Sequence, residues 1–137
     1  MKVFFDTNVY VAEALLGRAA ERMINATIAA RWRIFTSQHL IDEVERVMAR
    51  MGFSRRLAEL SAARIKRRSK MIVPPLSRHT VQSDPQDSPI LRAAIAGGVD
   101  ILVTNDRHLL VLDPYEGKRI VPMDQYLRTI EDKGMLK

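Results

Sequence analysis

The chain has 137 residues, 47% of them hydrophobic, which is enough for one compact domain with a real core and too little for two. It contains no cysteine, which excludes disulfides, thiolate metal sites and a cysteine nucleophile. The N-terminal apolar stretch stops at Asp6, too early for a signal peptide, and no apolar run reaches the roughly 18 residues of a membrane span. We therefore expect a single-domain cytoplasmic protein without a membrane partner.

The positive charges are concentrated in one segment. The formal net charge is +6, and residues 46–78 contain ten Arg and Lys against a single acid, Glu59. A basic segment beside carboxylates suits a protein that binds a polyanion through its phosphates and applies a divalent metal to one of them. The alternative is an ordinary solvated helix face, because Arg and Lys are common there.

The first eleven residues combine a strand with a carboxylate. Residues 3–5 (V-F-F) form a continuous apolar run, which is typical of a strand buried on both faces of a parallel sheet. Asp6 follows at the carboxyl end of this strand, where open α/β sheets bind their ligands, and Thr7 or Asn8 can cap the next helix. Asp6 could equally be only a capping residue.

The middle of the chain alternates helices with strands. We predict helices at 9–16, 18–32, 38–51 and 54–69, and strands at 33–37 and 71–73. The helix after Ser37 has the clearest apolar stripe, and Glu43 and Glu45 flank that stripe on opposite sides. Periodicity does not choose between these two acids, and both could be solvated.

Two later stretches also carry acids. Residues 84–91 (D-P-Q-D-S-P-I-L) predict a helix that has Pro89 in its first turn, with Asp87 or Ser88 as its cap. Residues 100–105 (D-I-L-V-T-N) are the strongest strand signal in the chain. Asp106 follows that strand and falls at the same sheet edge as Asp6, whereas Asp100 begins it and falls at the opposite edge. A short helix at 107–112, a strand at 119–121 and a helix at 123–132 complete an α/β pattern.

Four acids therefore converge on one edge of the predicted sheet. Clustered carboxylates repel one another, so such a set normally binds a cation, and oxygen ligands suit Mg²⁺ or Mn²⁺. The histidines at 39, 79 and 108 have no ligand spacing, which argues against zinc. The members of the set are Asp6, Asp87, Asp106 and either Glu43 or Glu45.

Four motifs in order resemble the PIN-domain nucleases. They are F-D-T-N at 5–8, the spacing from Ser37 to Glu43, D-P-Q-D-S-P-I-L-R-A-A at 84–94, and V-T-N-D-R-H-L-L at 103–110. The match covers nearly the whole chain, and it is most similar to the short prokaryotic toxins of toxin-antitoxin pairs (VapC-like). The resemblance implies a three-layer α/β/α sandwich around a mostly parallel sheet of about five strands.

The resemblance also implies Mg²⁺- or Mn²⁺-dependent cleavage of RNA and assigns roles to residues. The catalytic and metal-binding acids would be Asp6, Glu43, Asp87 and Asp106, with Asp84 a less certain metal ligand; the register from Ser37 selects Glu43 over Glu45. Asn8 and Thr104 match the small polar neighbours that orient carboxylates, while Asn105 stands where glycine is more usual. The RNA contact would centre on Arg64, Lys66, Arg67 and Arg68.

The implied partners are RNA, a cognate antitoxin protein and a second copy of the chain in a homodimer. The basic helix could belong to the dimer or antitoxin surface instead of the RNA contact. One alternative function is a catalytically inactive PIN-fold module that binds RNA or protein. Another is a phosphoacceptor signalling module, but the lysine expected after its last strand is absent, because Pro122 follows residues 119–121.

Overall fold

A computed structural model describes residues 1–15, 17–73 and 88–135. Within these residues the strands are β1 (Lys2–Phe5), β2 (Arg33–Ser37), β3 (Lys70–Ile72), β4 (Ile101–Val103) and β5 (Arg119–Val121). The helices are α1 (Thr7–Ala14), α2 (Arg18–Ala29), α3 (Gln38–Arg50), α4 (Arg55–Arg68), α5 (Ser88–Ala96), α6 (Arg107–Leu110) and α7 (Met123–Met135). None of the described helices combines the length and apolar character needed to cross a bilayer.

The five strands form one sheet in the order β3-β2-β1-β4-β5, and every pairing is parallel. All strands therefore begin at one edge of the sheet, here called the amino edge, and end at the other, the carboxyl edge. The central strand β1 is the one whose sequence is a continuous apolar run, and Val3, Phe4 and Phe5 are fully buried. The predicted α/β class with a five-stranded parallel sheet is confirmed.

Helices pack around this sheet and against each other. The pairs α2 with α7, α3 with α4, and α1 with α3 make the helix contacts that enclose the core. Apolar stripes at helical spacing explain these contacts, as in α3, where Leu40, Ile41, Val44 and Met48 are buried. The predicted strand at 33–37 has the observed bounds.

Several predicted boundaries differ from the structure for identifiable reasons. Helix α1 begins at Thr7 and not at residue 9, because Asp6 itself caps it by accepting from the Thr7 N–H at 2.7 Å. Strand β4 spans only Ile101–Val103 of the predicted residues 100–105, and beyond its end the Thr104 N–H still donates to the Val121 carbonyl of β5 at 3.0 Å. Strand β3 begins one residue earlier than predicted, at Lys70.

Candidate active site at the carboxyl edge

Asp6 lies at the centre of the carboxyl edge. Its residue is only 4% exposed, and its backbone N–H donates to the carbonyl of Val103 at 2.9 Å, which joins β1 to β4 just beyond the strands. The carboxylate accepts two hydrogen bonds: Oδ1 from the Thr7 N–H at 2.7 Å and Oδ2 from the Thr104 hydroxyl at 2.6 Å. Asp6 is thus both a helix cap and a buried carboxylate held in a defined orientation.

Thr104 joins the two acids that follow the central strands. Its side chain is fully buried; the hydroxyl donates to Asp6 and accepts from the backbone N–H of Asp106 at 3.0 Å. Asp106 in turn caps α6, with its Oδ1 accepting from the N–H of His108 at 2.8 Å. The Thr104 hydroxyl therefore positions the Asp6 carboxylate directly, and it positions Asp106 through the backbone N–H of that residue.

The third described acid at this edge is Glu43 on α3. Its side chain is 30% exposed, and its Oε2 lies 3.3 Å from Nε2 of His39, one helical turn earlier. That contact is close enough for an ion pair but is not aligned as a hydrogen bond. Glu45, in contrast, lines a separate cleft with Phe53 and Arg55 near the start of α4. The structure therefore brings Glu43 towards Asp6 and turns Glu45 away from it.

The electrostatics of Asp6 show that these acids act on one another. Burial raises the pKa of the Asp6 carboxyl above its ordinary value, while the hydrogen bonds from Thr104 and Thr7 oppose that rise. The negative charges of Glu43 and Asp106 raise the pKa of Asp6 further. A carboxylate that is desolvated and faces two other acids is stabilised by a cation.

The carboxyl edge also holds buried hydroxyl oxygens without partners. The Oγ1 atoms of Thr7 and Thr36 are buried and make no hydrogen bond to the described residues. Thr7 directly follows Asp6, and Thr36 lies near the end of β2, the strand that pairs with β1. Hydroxyl and carboxylate oxygens are the donors that Mg²⁺ and Mn²⁺ prefer, so the donor set fits such an ion in kind.

The described residues alone do not complete a metal centre. Across residues 1–15, 17–73 and 88–135, no three His, Cys, Asp or Glu side chains lie close enough together to hold a metal ion. Asp84 and Asp87, which the sequence analysis assigned to the site, lie outside the described residues. The structure thus brings together Asp6, Glu43 and Asp106 at one edge without showing a finished ligand set.

The other predicted residues at this edge have mixed positions. Asn8 is exposed in the first turn of α1 and makes no hydrogen bond to a described acid. Asn105, which stands where glycine is more usual, has a local structural role, because its Oδ1 accepts from the N–H of Met123 at 3.0 Å and so holds the start of α7. His39 was not assigned by sequence, although its spacing of four residues before Glu43 was a readable signal.

The predicted RNA-contact residues lie away from the carboxyl edge, because α4 ends just before β3 begins. Lys66 and Arg67 are exposed there. Arg68 has a different environment from the one expected: its side chain is 14% exposed, and its guanidinium donates to both oxygens of Glu13 at 2.9 and 2.8 Å. Nη2 of Arg64 also lies 3.4 Å from Oε2 of Glu13. Arg68 therefore joins α4 to α1, and Lys66 and Arg67 remain available to a ligand.

Comparison with known proteins agrees with this geometry. The sequence profile of the PIN domain matches residues 2–108. The chain belongs to the PIN domain family. A solved structure, the crystal structure of PAE2754 from Pyrobaculum aerophilum, has a TM-score of 0.65 and 18% sequence identity over 96% of this chain and 90% of that one. At that identity the likeness shows the fold alone, and no curated protein matches the chain. The PIN domain is a nuclease-type fold.

Proposed function

We propose that this PIN domain is a metal-dependent ribonuclease that hydrolyses phosphodiester bonds in RNA. The observation that carries the proposal is Asp6, a buried carboxylate at the carboxyl edge whose pKa is raised by burial and by Glu43 and Asp106. A protein keeps such mutually repelling acids together mainly where a cation offsets them. The resemblance of the motifs to PIN nucleases supplies the substrate class.

The residues would hold the ion as follows. Among the described residues Asp6, Glu43 and Asp106 would be ligands, and Asp87, with Asp84 as a further candidate, would complete the set. Bound Mg²⁺ or Mn²⁺ would supply water activation and neutralisation of charge on the phosphate.

The protein's own groups fix the acids in place. The Thr7 N–H and the Thr104 hydroxyl each hold one oxygen of Asp6, and Thr104 also holds the backbone of Asp106. His39 lies one helical turn before Glu43, and its Nε2 is 3.3 Å from the Glu43 Oε2. Preorganised carboxylates need no rearrangement when the substrate arrives, which is the main contribution that a protein makes to phosphoryl transfer.

We also propose that the chain is the toxin of a toxin-antitoxin pair and acts in the cytoplasm as a homodimer. This assignment rests on the short prokaryotic toxins that the motifs resemble. An adjacent reading frame that encodes a DNA-binding segment followed by a disordered tail would support it. A gene that has no such reading frame beside it would argue against it.

The nuclease is tested by digesting single-stranded RNA with the purified protein in Mg²⁺, in Mn²⁺ and in EDTA. We expect cleavage only with metal, and a loss of at least about a hundredfold in Asp6→Asn and in Asp106→Asn, because losing a ligand should exceed the 10- to 100-fold cost of losing one of its supporting partners. Asp100→Asn is the matched control: Asp100 lies at the amino edge, where its Oδ2 accepts from the Lys2 N–H.

Each outcome has a meaning for the proposal. A near-parental rate in Asp6→Asn would show that the site assignment is wrong. An intact parent that binds RNA in EDTA but cleaves none in either metal would favour the inactive binding module. An equal loss in Asp100→Asn would show that the effect is not local to the carboxyl edge.

A further inference from the structure

The strongest unexplained feature is a basic cleft at the amino edge, on the far side of the sheet from Asp6. It has a volume of about 440 Å³ and lies between the end of α2 and the first residues of β2 and β3. Its cations are Arg31, Arg33, Arg68 and Lys70, and its apolar wall includes Trp32 and Ile28. Among the described residues no acid lines this cleft.

Three of the four cations have no acidic partner within the described chain. Arg31, Arg33 and Lys70 are exposed and form no ion pair there, whereas Arg68 is held by Glu13. Adjacent cations repel one another, so a cluster of this kind is most stable when an anion binds between them. Trp32, which also lines the cleft, is an aromatic residue against which the base of a nucleotide can stack.

The backbone at Arg31 gives an independent indication that this position matters. Arg31 has φ of 61° and follows the end of α2, where the N–H groups of Arg31 and Trp32 bond back to the carbonyls of Ile28 and Thr27 at 3.0 and 3.2 Å. This is the helix-ending motif whose left-handed position is normally occupied by glycine. A side chain kept in that conformation suggests that the side chain has a use.

Helix α3 provides the internal comparison. It ends in the same motif, with Gly52 and Phe53 bonding back to Ala49 and Met48 at 3.1 and 3.0 Å, and Gly52 has φ of 90°. The same motif thus has glycine at the end of α3 and an arginine at the end of α2, where the turn borders the basic cleft. The strained arginine and the unpaired cations beside it are separate observations that point to one ligand.

We propose that this cleft, defined by Arg31, Trp32, Arg33 and Lys70, is a second RNA-binding site that holds single-stranded RNA away from the point of cleavage. Phosphates would lie on the cations and a base would stack against the indole of Trp32, the combination that single-strand binders use. The proposal rests on the proposed ribonuclease function and deepens it, because it states which part of the substrate the amino edge receives.

The position of the cleft sets the length of RNA that reaches it. Strand β1 has 4 residues and spans about 13 Å at 3.3 Å per residue, so the two edges are at least that far apart. At about 3.4 Å per stacked nucleotide, RNA needs at least about four nucleotides beyond the cut to occupy both edges. Variants of the cleft should therefore slow cleavage of long RNA and leave cleavage of very short RNA unchanged.

The test uses the intrinsic fluorescence of Trp32, which is the single tryptophan of the chain. Short single-stranded oligoadenylate is titrated into the full-length protein in EDTA, and its affinity is measured in parallel by a method independent of tryptophan. We expect quenching that saturates with binding. In Arg31→Gln/Arg33→Gln, affinity should fall about tenfold at low salt and the log-log salt slope should flatten by about 1.4, the value for two phosphate contacts.

Two further variants separate binding from folding. Arg50→Gln/Arg56→Gln removes the same charge from exposed positions on α3 and α4 outside the cleft and should change affinity less than twofold. Arg31→Gly removes the cation and relieves the left-handed backbone, so it should bind more weakly while melting at the same or a higher temperature. An Arg31→Gly variant that melts normally and binds like the parent would overturn the proposal.

The remaining outcomes distinguish this site from the proposed function. RNA binding without a Trp32 response, or equal quenching by polyglutamate, would overturn the RNA site even if the protein cleaves RNA in Mg²⁺. A Trp32 response that the Arg31→Gln/Arg33→Gln variant loses, in a protein that cleaves nothing, would support the site while the ribonuclease proposal fails. Equal slowing of long and very short substrates by the cleft variant would overturn the two-edge arrangement.

Discussion

The two edges of the sheet have opposite charge. The carboxyl edge holds the described acids Asp6, Glu43 and Asp106, while four strands begin at the amino edge with a cation, namely Lys2, Arg33, Lys70 and Arg119. In a parallel sheet the first residues of all strands lie at one edge, and the residues that follow the strands lie at the other. Cations that recur at strand starts therefore form a basic surface, and acids that recur after strand ends form a candidate site. A polyanion that contacts both edges would find charge neutralisation at one and cationic contacts at the other.

Two carboxyl groups show this contrast most directly. Burial, with repulsion from Glu43 and Asp106, raises the pKa of Asp6 at the carboxyl edge. Hydrogen bonds from the Arg119 side chain and the Ile120 N–H lower the pKa of Asp113, in the loop that precedes β5 at the amino edge. The same chemical group is thus destabilised in its charged form at one edge and stabilised at the other.

The largest expected effect tests which helix acid belongs to the carboxyl edge. Glu43→Gln should lower metal-dependent RNA cleavage by at least about a hundredfold, because Glu43 is placed to act on Asp6. Glu45→Gln, the matched control two residues away, should cost less than about threefold, because Glu45 faces the cleft beside α4. Initial rates in saturating Mg²⁺ give the comparison, and equal losses would remove Glu43 from the site.

An intermediate effect is expected from the basic residues of α4. Lys66→Gln/Arg67→Gln should weaken RNA binding and flatten the log-log salt slope by about 1.4, since each lost phosphate contact on a single strand contributes about 0.7. The loss of affinity should be similar for all RNA sequences, because phosphate contacts do not distinguish between bases. Binding titrations across salt concentrations measure it, and Arg50→Gln/Arg56→Gln is again the control.

The same variant also addresses the alternative role of α4. Trp32 quenching by oligoadenylate should persist in Lys66→Gln/Arg67→Gln, because these side chains do not line the cleft. An unchanged salt slope together with an altered sedimentation profile would assign this part of α4 to a protein interface and not to RNA.

The sequence was sufficient for the sheet and for most helices because their signals are local. The apolar run of β1 predicted a central strand, and the stripe of α3 predicted its buried face. Asp6 and Asp106 could be placed at one edge from strand direction alone, without any knowledge of side-chain geometry. The same reasoning separated Asp100, which lies at the amino edge, where its side chain accepts from the Lys2 N–H.

The features that the sequence did not reveal depend on distant partners. Arg68 pairs with Glu13, which lies 55 residues earlier, and nothing in the α4 sequence distinguishes it from the exposed Lys66 and Arg67. The left-handed turn at Arg31 breaks the usual preference for glycine, so local sequence signals cannot anticipate it. The sequence also did not reveal that the Thr104 hydroxyl donates to Asp6, 98 residues earlier in the chain.

The smallest expected effect concerns stability and compares Asp6 with Asp113 in metal-free protein. The raised pKa of Asp6 means that its contribution to stability is fully present below its unfolded-state pKa and is lost as pH rises through its folded-state pKa. Asp6→Asn should therefore be more stable than the parent at neutral pH, by up to about 1 kcal/mol, and the difference should vanish in acid. The lowered pKa of Asp113 has the opposite effect on stability. Its stabilising contribution is present above the unfolded-state pKa and is lost as pH falls through the folded-state pKa.

Denaturant unfolding in EDTA across the acid range measures both differences on the same protein. Asp113→Asn should be less stable than the parent at neutral pH and approach it in acid, so the two difference curves should lie on opposite sides of zero and converge as pH falls. Adding Mg²⁺ should remove the advantage of Asp6→Asn, because the ion then stabilises the parent and binds the variant weakly. If Asp6→Asn is instead less stable at every pH without metal, the hydrogen bonds from Thr7 and Thr104 outweigh the repulsion at the carboxyl edge, and the carboxylate is primarily a structural cap.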